Sequence, residues 1–392
     1  MPAYNQAQTL GAAIESVLAQ TFADWELIVV DDGSTDETAE VVRRYADDRV
    51  RYFYQTNQER SRARNNGIAR SQGRIVAFLD ADDFWLPQYL AKQTASFHQH
   101  PEAGLSRTWT YDTDAAGTVV RVGGNGAAEA RTPEAFLAAM LIANRMSSIA
   151  TAVRAECLAE AGGFDPELRQ GEDWELWVRI LRRYPAAHVP EPLAGYRHYN
   201  VFMPPRLAQR GYEQASVTIV EKNFAGLEES PLYALRREAL GAAHWRAAWN
   251  RYALNDLAAG QASAARARVV YPELFAVPAR FADSVAYLAD ELYDLYTPLE
   301  EALKYIDRLF GHLPPALSDL RPWRRAARGR YCGLHVFRAY EMRQRAATRR
   351  AAALALRDSP RWAANRGFWS ITWRAVSGWG WRARKSVESR PH

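Results

Sequence analysis

The first 120 residues alternate between two hydrophobic periods. Thr9 to Gln20 puts Leu10, Ala13, Ile14, Val17 and Leu18 on one helical face. Trp25–Val30 is a short run rich in β-branched residues. It ends in Asp31-Asp32-Gly33-Ser34, where Ser34 or Thr35 can cap a helix carrying Asp36 and Glu37 in its first turn. Val50–Tyr54 predicts a strand, Arg60–Ser71 a helix and Arg74–Leu79 a buried strand stopping at Asp80, after which Pro87 opens another helix. Strands alternating with helices of about 10–15 residues predict βαβ units and a parallel sheet, which places ligands at the carboxyl ends of its strands. Two of these strands end in acids, at Asp31-Asp32 and at Asp80-Ala81-Asp82-Asp83.

From about Gly104 the pattern is mixed. Trp109–Tyr111 and Thr118–Val120 predict strands around a turn at Gly117, while Thr132–Ala143 and Gly171–Arg183 predict helices. Beyond Pro205 the strand signal fades into Ala-, Leu- and Arg-rich helices broken at Gly260, Pro272, Pro278, Pro298 and Pro314-Pro315. Ala242–Pro272 has the pattern of a helical hairpin, but no fixed period recurs three times, so no solenoid is expected. The expected fold class is α/β. A Rossmann-like, mixed but mainly parallel sheet flanked by helices occupies residues 1–204. An all-α region follows, divided into a helical domain at 205–320 and a basic helical tail at 321–392.

Composition narrows the function classes. Hydrophobic residues at 48% and charged residues at 24% exclude disorder as the main state. Two cysteines, Cys157 and Cys332, exclude a disulfide framework and a four-cysteine zinc site, so a reducing cytoplasm is expected. No apolar run approaches the roughly 20 residues that span a bilayer. Met1-Pro2-Ala3-Tyr4-Asn5 carries neither a basic nor an apolar leader region, so no signal peptide is expected. The net charge of +5 conceals an asymmetry: Arg321–His392 holds 18 basic and 3 acidic residues, against 32 and 42 elsewhere. Six of the 13 tryptophans lie in that tail. Interleaved arginine and tryptophan suit the anionic inner face of a membrane, bound peripherally; the bland alternative is a helical appendage with a solvated basic face. Nucleic acid is not an expected partner, because no recognised module accompanies the charge.

Three clusters can carry chemistry. In Asp80-Ala81-Asp82, carboxylates at i and i+2 on a turn after a core strand can converge on one hard cation and a phosphate-bound sugar, since Mg²⁺ and Mn²⁺ use one or two carboxylates plus phosphate oxygens. Glu172 and Asp173 open a helix, where acids favour the macrodipole; Trp174 and Trp177 beside them suit a core or an acceptor-lining role equally. Arg62 and Arg64 sit early in a helix, against the dipole, so they either face a phosphate or lie on an exposed face.

Pro2-Ala3-Tyr4-Asn5, Ser16–Thr21, Val29–Asp36, Ala63–Ile68, Phe78–Asp83 and Gly171-Glu172-Asp173 occur in that order. Together they closely resemble the family 2 glycosyltransferases of the GT-A fold, over roughly residues 1–200. The resemblance implies a nucleotide-diphosphate sugar donor, a UDP-sugar first among them, a Mn²⁺ or Mg²⁺ cofactor and inversion at the anomeric carbon. It implies that Pro2, Ala3 and Tyr4 line the nucleoside and that Asp32, with Asp31, bonds the base. Arg64 would approach the diphosphate, Asp80 would face the ribose or sugar, and Asp82 would ligate the metal. Asp173 would be the general base, and the segment Tyr196-Arg197-His198 would reach the diphosphate or, through His198, the metal. A sugar or lipid-linked acceptor of the cell envelope suits such an enzyme. A catalytically inactive nucleotide-sugar-binding or scaffold protein remains the alternative, while a nucleotidyltransferase would show a Gly-rich, lysine-bearing phosphate loop that is absent here.

One departure concerns the first strand. The family carries about five apolar residues ahead of Pro-X-Tyr-Asn, and here that proline follows Met1 directly. The sheet is therefore expected to lack most of an inner strand, at about 1–3 kcal/mol for each unsatisfied backbone group. The expectation is a true start several codons upstream.

Overall fold

A computed structural model of the chain describes residues 1–123, 132–198, 212–292, 299–342 and 344–377. They form two units, one of Met1–Arg197 with Thr218–Tyr233 and one of His198–Val217 with Ala234–His392.

The first unit opens with β1 (Pro2–Ala3), α1 (Leu10–Leu18), β2 (Leu27–Asp31), α2 (Thr38–Arg43), β3 (Val50–Tyr54) and α3 (Glu59–Arg70). β1, β2 and β3 make a parallel sheet, with Pro2 opposite Val30 and Asp31 opposite Tyr54. Leu10, Ala13, Ile14 and Val17 of α1 are buried, as their spacing requires. Next come β4 (Ile75–Ala77), β5 (Phe84–Trp85), α4 (Tyr89–Gln99), β6 (Leu105–Thr113), β7 (Val119–Gly123) and α5 (Pro133–Ile142). β8 (Thr151–Arg154), α6 (Ala155–Ala161), α7 (Glu172–Leu181), β9 (Ala186–Arg197) and α8 (Tyr212–Phe224) complete the series. The second sheet runs β4-β8-β6-β9-β5, with β7 beside β6. Its β6–β9 pair is parallel and its other pairs are antiparallel. The fold is mixed α/β, as expected. Its antiparallel share exceeds the sequence expectation, because short returns such as the β6–β7 hairpin at Gly117 leave no helical period between strands.

Between Leu27-Ile28 on one wall and Ile75–Leu79 on the other lies a cavity of about 750 Å³ that includes Met1 in its lining. The backbone there is not left wanting: the Met1 amine donates to the Ile28 carbonyl at 2.9 Å, and Val30 N–H donates to the Met1 carbonyl at 2.9 Å. Burial lowers the pKa of the Met1 amine to about 5.

The second unit is helical. After α8, it contains α9 (Arg236–Ala253), α10 (Leu257–Val270), α11 (Glu273–Ala276), α12 (Pro278–Leu292) and α13 (Leu299–Gly311). α14 (Arg324–Glu341), α15 (Arg345–Asp358) and α16 (Arg366–Ser377) follow. The α9–α10 pair is the hairpin expected at Ala242–Pro272. The boundary expected at 320/321 is not seen. One continuous core runs from Trp245 and Trp249 through Phe281, Tyr305 and Leu317 to Tyr331, Ala352, Trp362 and Phe368. Trp362 lies so close to α14 that a Cβ on Gly333 would fall 1.9 Å from its ring. Its indole N–H donates to the Gly329 carbonyl at 2.9 Å. The charge asymmetry misled because these helices turn arginines outward while their Ala and Leu faces pack inward. The other expected boundary, at 204/205, lies outside the described residues.

Candidate active site

The carboxyl ends of β1 and β2 are tied together by their following loops. Asn5 turns the chain at φ 51°, a left-handed conformation that asparagine tolerates better than most residues. Its backbone N–H donates to Ser34 Oγ at 2.9 Å, and its side-chain oxygen accepts from Thr35 N–H at 2.8 Å. Gly33 adopts φ 84°, and a Cβ there would meet Asn57 N at 2.8 Å. Ala3 is buried at the β1 terminus, whereas Tyr4 beyond it is 49% exposed and Tyr54 at the end of β3 is 62% exposed. Two aromatic faces thus flank the end of this sheet.

Both acids that close β2 are buried and engaged. Asp31 accepts from Ser34 N–H at 2.8 Å and from the Tyr52 hydroxyl at 2.6 Å. Asp32 accepts the Gln55 amide at 2.6 Å and the Gln58 N–H at 2.8 Å, both on Oδ1. Asn66 of α3 donates to Gln55, which extends that chain of hydrogen bonds back to the Arg-Asn-Asn segment. Asn65 clamps the backbone of Phe164 through both its amide atoms, at 2.7 and 2.8 Å.

Arg64, which the resemblance sets near the diphosphate, is buried. Its side chain is 2% exposed and is committed to two carboxylates, Asp80 Oδ1 and Glu172 Oε1, each at 2.7 Å. The guanidinium lies 5.2 Å from the centre of the Phe164 ring. The reason is geometric: α3 turns this residue into the core beside Ser61 and Ala63, while Arg62 stays exposed. Arg64 thereby fastens the turn after β4 to the start of α7. Burial alone would raise the Asp80 carboxyl, but Arg64 and then Arg60 outweigh it and hold Asp80 below the ordinary value. Arg64→Ala should leave a buried Glu172 without its closest counterion. Breaking such a pair costs about 3–5 kcal/mol. Urea denaturation should show that loss in its midpoint, and Arg64→Lys should not restore it, because one ammonium cannot span both carboxylates.

Asp173 follows Glu172 in the first turn of α7. Burial, and next the neighbouring Glu172 charge, raise its pKa to about 6. Asn144 donates to its Oδ2 at 3.3 Å. Trp174 and Trp177 beside it are core residues: Trp174 donates to the Met140 carbonyl at 2.5 Å, and Trp177 packs against Phe78 and Phe164. Asp82 is half-buried in the turn between β4 and β5. Arg197, at the end of β9, donates through Nη1 to the Asp82 carbonyl at 3.1 Å, and its backbone N–H donates to the Asp83 carboxylate at 2.8 Å. Asp83 is buried, and burial and then the Asp82 charge push its pKa well above the ordinary value. His198 directly follows Arg197 in the chain.

Among the described residues, no group of three or more His, Cys, Asp or Glu side chains forms a metal cage. One half-buried carboxylate on a turn still suits a Mn²⁺ or Mg²⁺ ion that brings most of its oxygen ligands on substrate phosphates. Residues that sequence reasoning did not single out are Tyr52, Gln55, Gln58, Asn144 and the structural role of Glu172. The β2–β3 register is the signal that places the first of these beside the acids.

Residues 1–132 match the model of Glycosyl transferase family 2. The chain is 43% identical over 105 residues to an uncharacterized glycosyltransferase of Nostoc sp., covering 26% of this chain and 33% of that one. It is 43% identical over 96 residues to the UDP-Glc:alpha-D-GlcNAc-diphosphoundecaprenol beta-1,3-glucosyltransferase WfgD of Escherichia coli, covering 24% and 37%. It is 29% identical over 204 residues to the putative teichuronic acid biosynthesis glycosyltransferase TuaG of Bacillus subtilis, covering 51% and 77%. The chain spans about a third of the length of the first curated relatives it matches. Among solved structures, S. aureus TarS 1-349 in complex with UDP aligns over 98% of this chain and 93% of that one, at 15% identity and a TM-score of 0.47.

Proposed function

We propose that the chain is an inverting glycosyltransferase that moves a sugar from a nucleotide-diphosphate donor, a UDP-sugar, to a hydroxyl of a cell-envelope polysaccharide or glycolipid acceptor. The observation that carries this reading is Asp173: a carboxylate raised to about 6, one residue from Glu172, which Arg64 ties to the Asp80 turn. A general base works best with a pKa near the operating pH. The acceptor hydroxyl attacks the anomeric carbon as Asp173 takes its proton. The new C–O bond forms while the bond to the diphosphate breaks, and its electron pair leaves with the nucleotide. One displacement and no enzyme nucleophile give inversion.

Tyr4 and Tyr54 offer faces for the base, and Asp32 offers it a carboxylate whose described hydrogen bonds both fall on Oδ1. Asp80 faces the sugar, held in place by Arg64 rather than helped by it at the diphosphate. Asp82, with His198 as a second candidate, holds a Mn²⁺ or Mg²⁺ ion, which when bound supplies positive charge to the leaving diphosphate. The name of WfgD supports a UDP-sugar and a diphospholipid-linked acceptor, and that of TuaG supports an envelope polymer. Proton NMR of the product tests the stereochemistry: the new linkage should have the anomeric configuration opposite to the donor's, and a retained configuration would overturn the single displacement.

A further inference from the structure

The tail tryptophans separate into two populations. Trp362 is buried in the helical core, and Trp323 packs against it. Trp369 and Trp373 are 45% and 56% exposed, and Val376 is 59% exposed. Trp379 and Trp381 lie outside the described residues. Positions 369, 373 and 376 follow the i, i+4, i+7 spacing of one helical face on α16. The opposite face is fixed: Phe368 and Ala375 are fully buried, Phe368 stacks on Trp362 at 5.5 Å, and Arg345 donates to the Ala375 carbonyl at 3.2 Å. The helix is therefore anchored through Phe368 and Ala375 and presents an apolar stripe of Trp369, Trp373 and Val376 to solvent. The Trp369 indole N–H already donates to the Ala363 carbonyl at 2.7 Å, so its ring can leave water without stranding a donor. Arg366 and Arg374 of the same helix are exposed.

We propose that the outer face of α16 is a docking surface for an anionic lipid bilayer, lying in the headgroup region rather than crossing it. Among the described residues, no helix is long and apolar enough to cross a membrane. Large aromatic rings amid arginines match the interfacial layer, where indole favours the headgroup depth and cations meet lipid phosphate. Charge complementarity selects this occupant over a second copy of the chain: residues 321–392 carry 18 basic and 3 acidic groups, and two such surfaces would repel each other. The inference stands on the second unit alone and does not depend on the glycosyl-transfer reading.

Co-sedimentation of the full chain with vesicles of phosphatidylcholine alone, or with a third phosphatidylglycerol, tests it. The chain should partition into the anionic vesicles, release in high salt and show a blue shift of tryptophan emission on binding. Trp369→Ala with Trp373→Ala should weaken that binding by about tenfold or more. Trp373→Ser with Val376→Ser, which leaves the Trp369 indole bond intact, should weaken it in the same direction. Thermal unfolding of the Trp373→Ser, Val376→Ser variant should stay close to the parent's, which separates lost lipid contact from the loss of the Trp369–Ala363 bond in the first variant. Equal binding to neutral vesicles, unchanged binding by both variants, or self-association without lipid that the variants abolish would each overturn the assignment.

Discussion

Asp173→Asn is expected to lower turnover by about 10²–10⁴, the usual scale for losing a general base. Nucleotide-diphosphate affinity, read by calorimetry, should survive, because the carboxylate acts on the acceptor rather than on the nucleotide. Asparagine keeps the shape of the side chain and an oxygen for the Trp174 N–H, and gives up only the acceptor that the Asn144 amide uses, so the fold should be retained. The pH profile gives a second readout. Burial and the Glu172 charge both favour the protonated acid, placing the Asp173 pKa at about 6. The working form is the carboxylate, so kcat/KM should rise through pH 6 and level off above it, where the group is ionised. In the asparagine variant that acid limb should vanish. A variant with near-normal turnover under chemistry-limited conditions would give the proton to another residue.

Asp82→Asn is expected to remove the metal-dependent part of donor binding and, with it, measurable turnover. Asp82 sits half-buried in the turn after β4, where Arg197 fixes its backbone carbonyl. Neighbouring Asp83 does not substitute for it. Asp83 is buried and its carboxylate already takes the Arg197 N–H. Calorimetry of UDP with and without Mn²⁺ reads this directly: the parent should bind more tightly with the ion, and the variant should bind equally weakly in both cases. Unchanged metal-dependent affinity would remove Asp82 from the site.

Much of the first unit was legible because its strands and helices carry clean periods. Val50–Tyr54 needs no tertiary information to read as a strand, and α1 shows its buried face in its spacing. The acids at strand ends were legible for a related reason: a carboxylate directly after a core strand is costly to bury unless something pairs with it. The burial of Arg64 was not legible because a sequence shows a residue's place on a helix but not which neighbour that face meets. Only the approach of α7 reveals that Glu172 and Asp80 share its guanidinium. Glu172 passed as a macrodipole acid for the same reason. In the second unit, net charge masked burial. An arginine-rich stretch read as a separate basic helical tail, whereas its alanines and Trp362 join the helical core.

The central claim is that the acid turn after β4 and the Glu172-Asp173 pair serve one transfer reaction. Release of nucleotide diphosphate from a panel of nucleotide sugars tests it most directly, with Mn²⁺ or Mg²⁺ present, with and without a lipid-linked sugar acceptor. The parent chain should release diphosphate from at least one donor, a UDP-sugar first among them, with rate lost in Asp173→Asn and in Asp82→Asn. A parent chain that binds nucleotide sugars yet releases no diphosphate from any of them with the acceptor present would contradict the claim and favour an inactive nucleotide-sugar-binding protein.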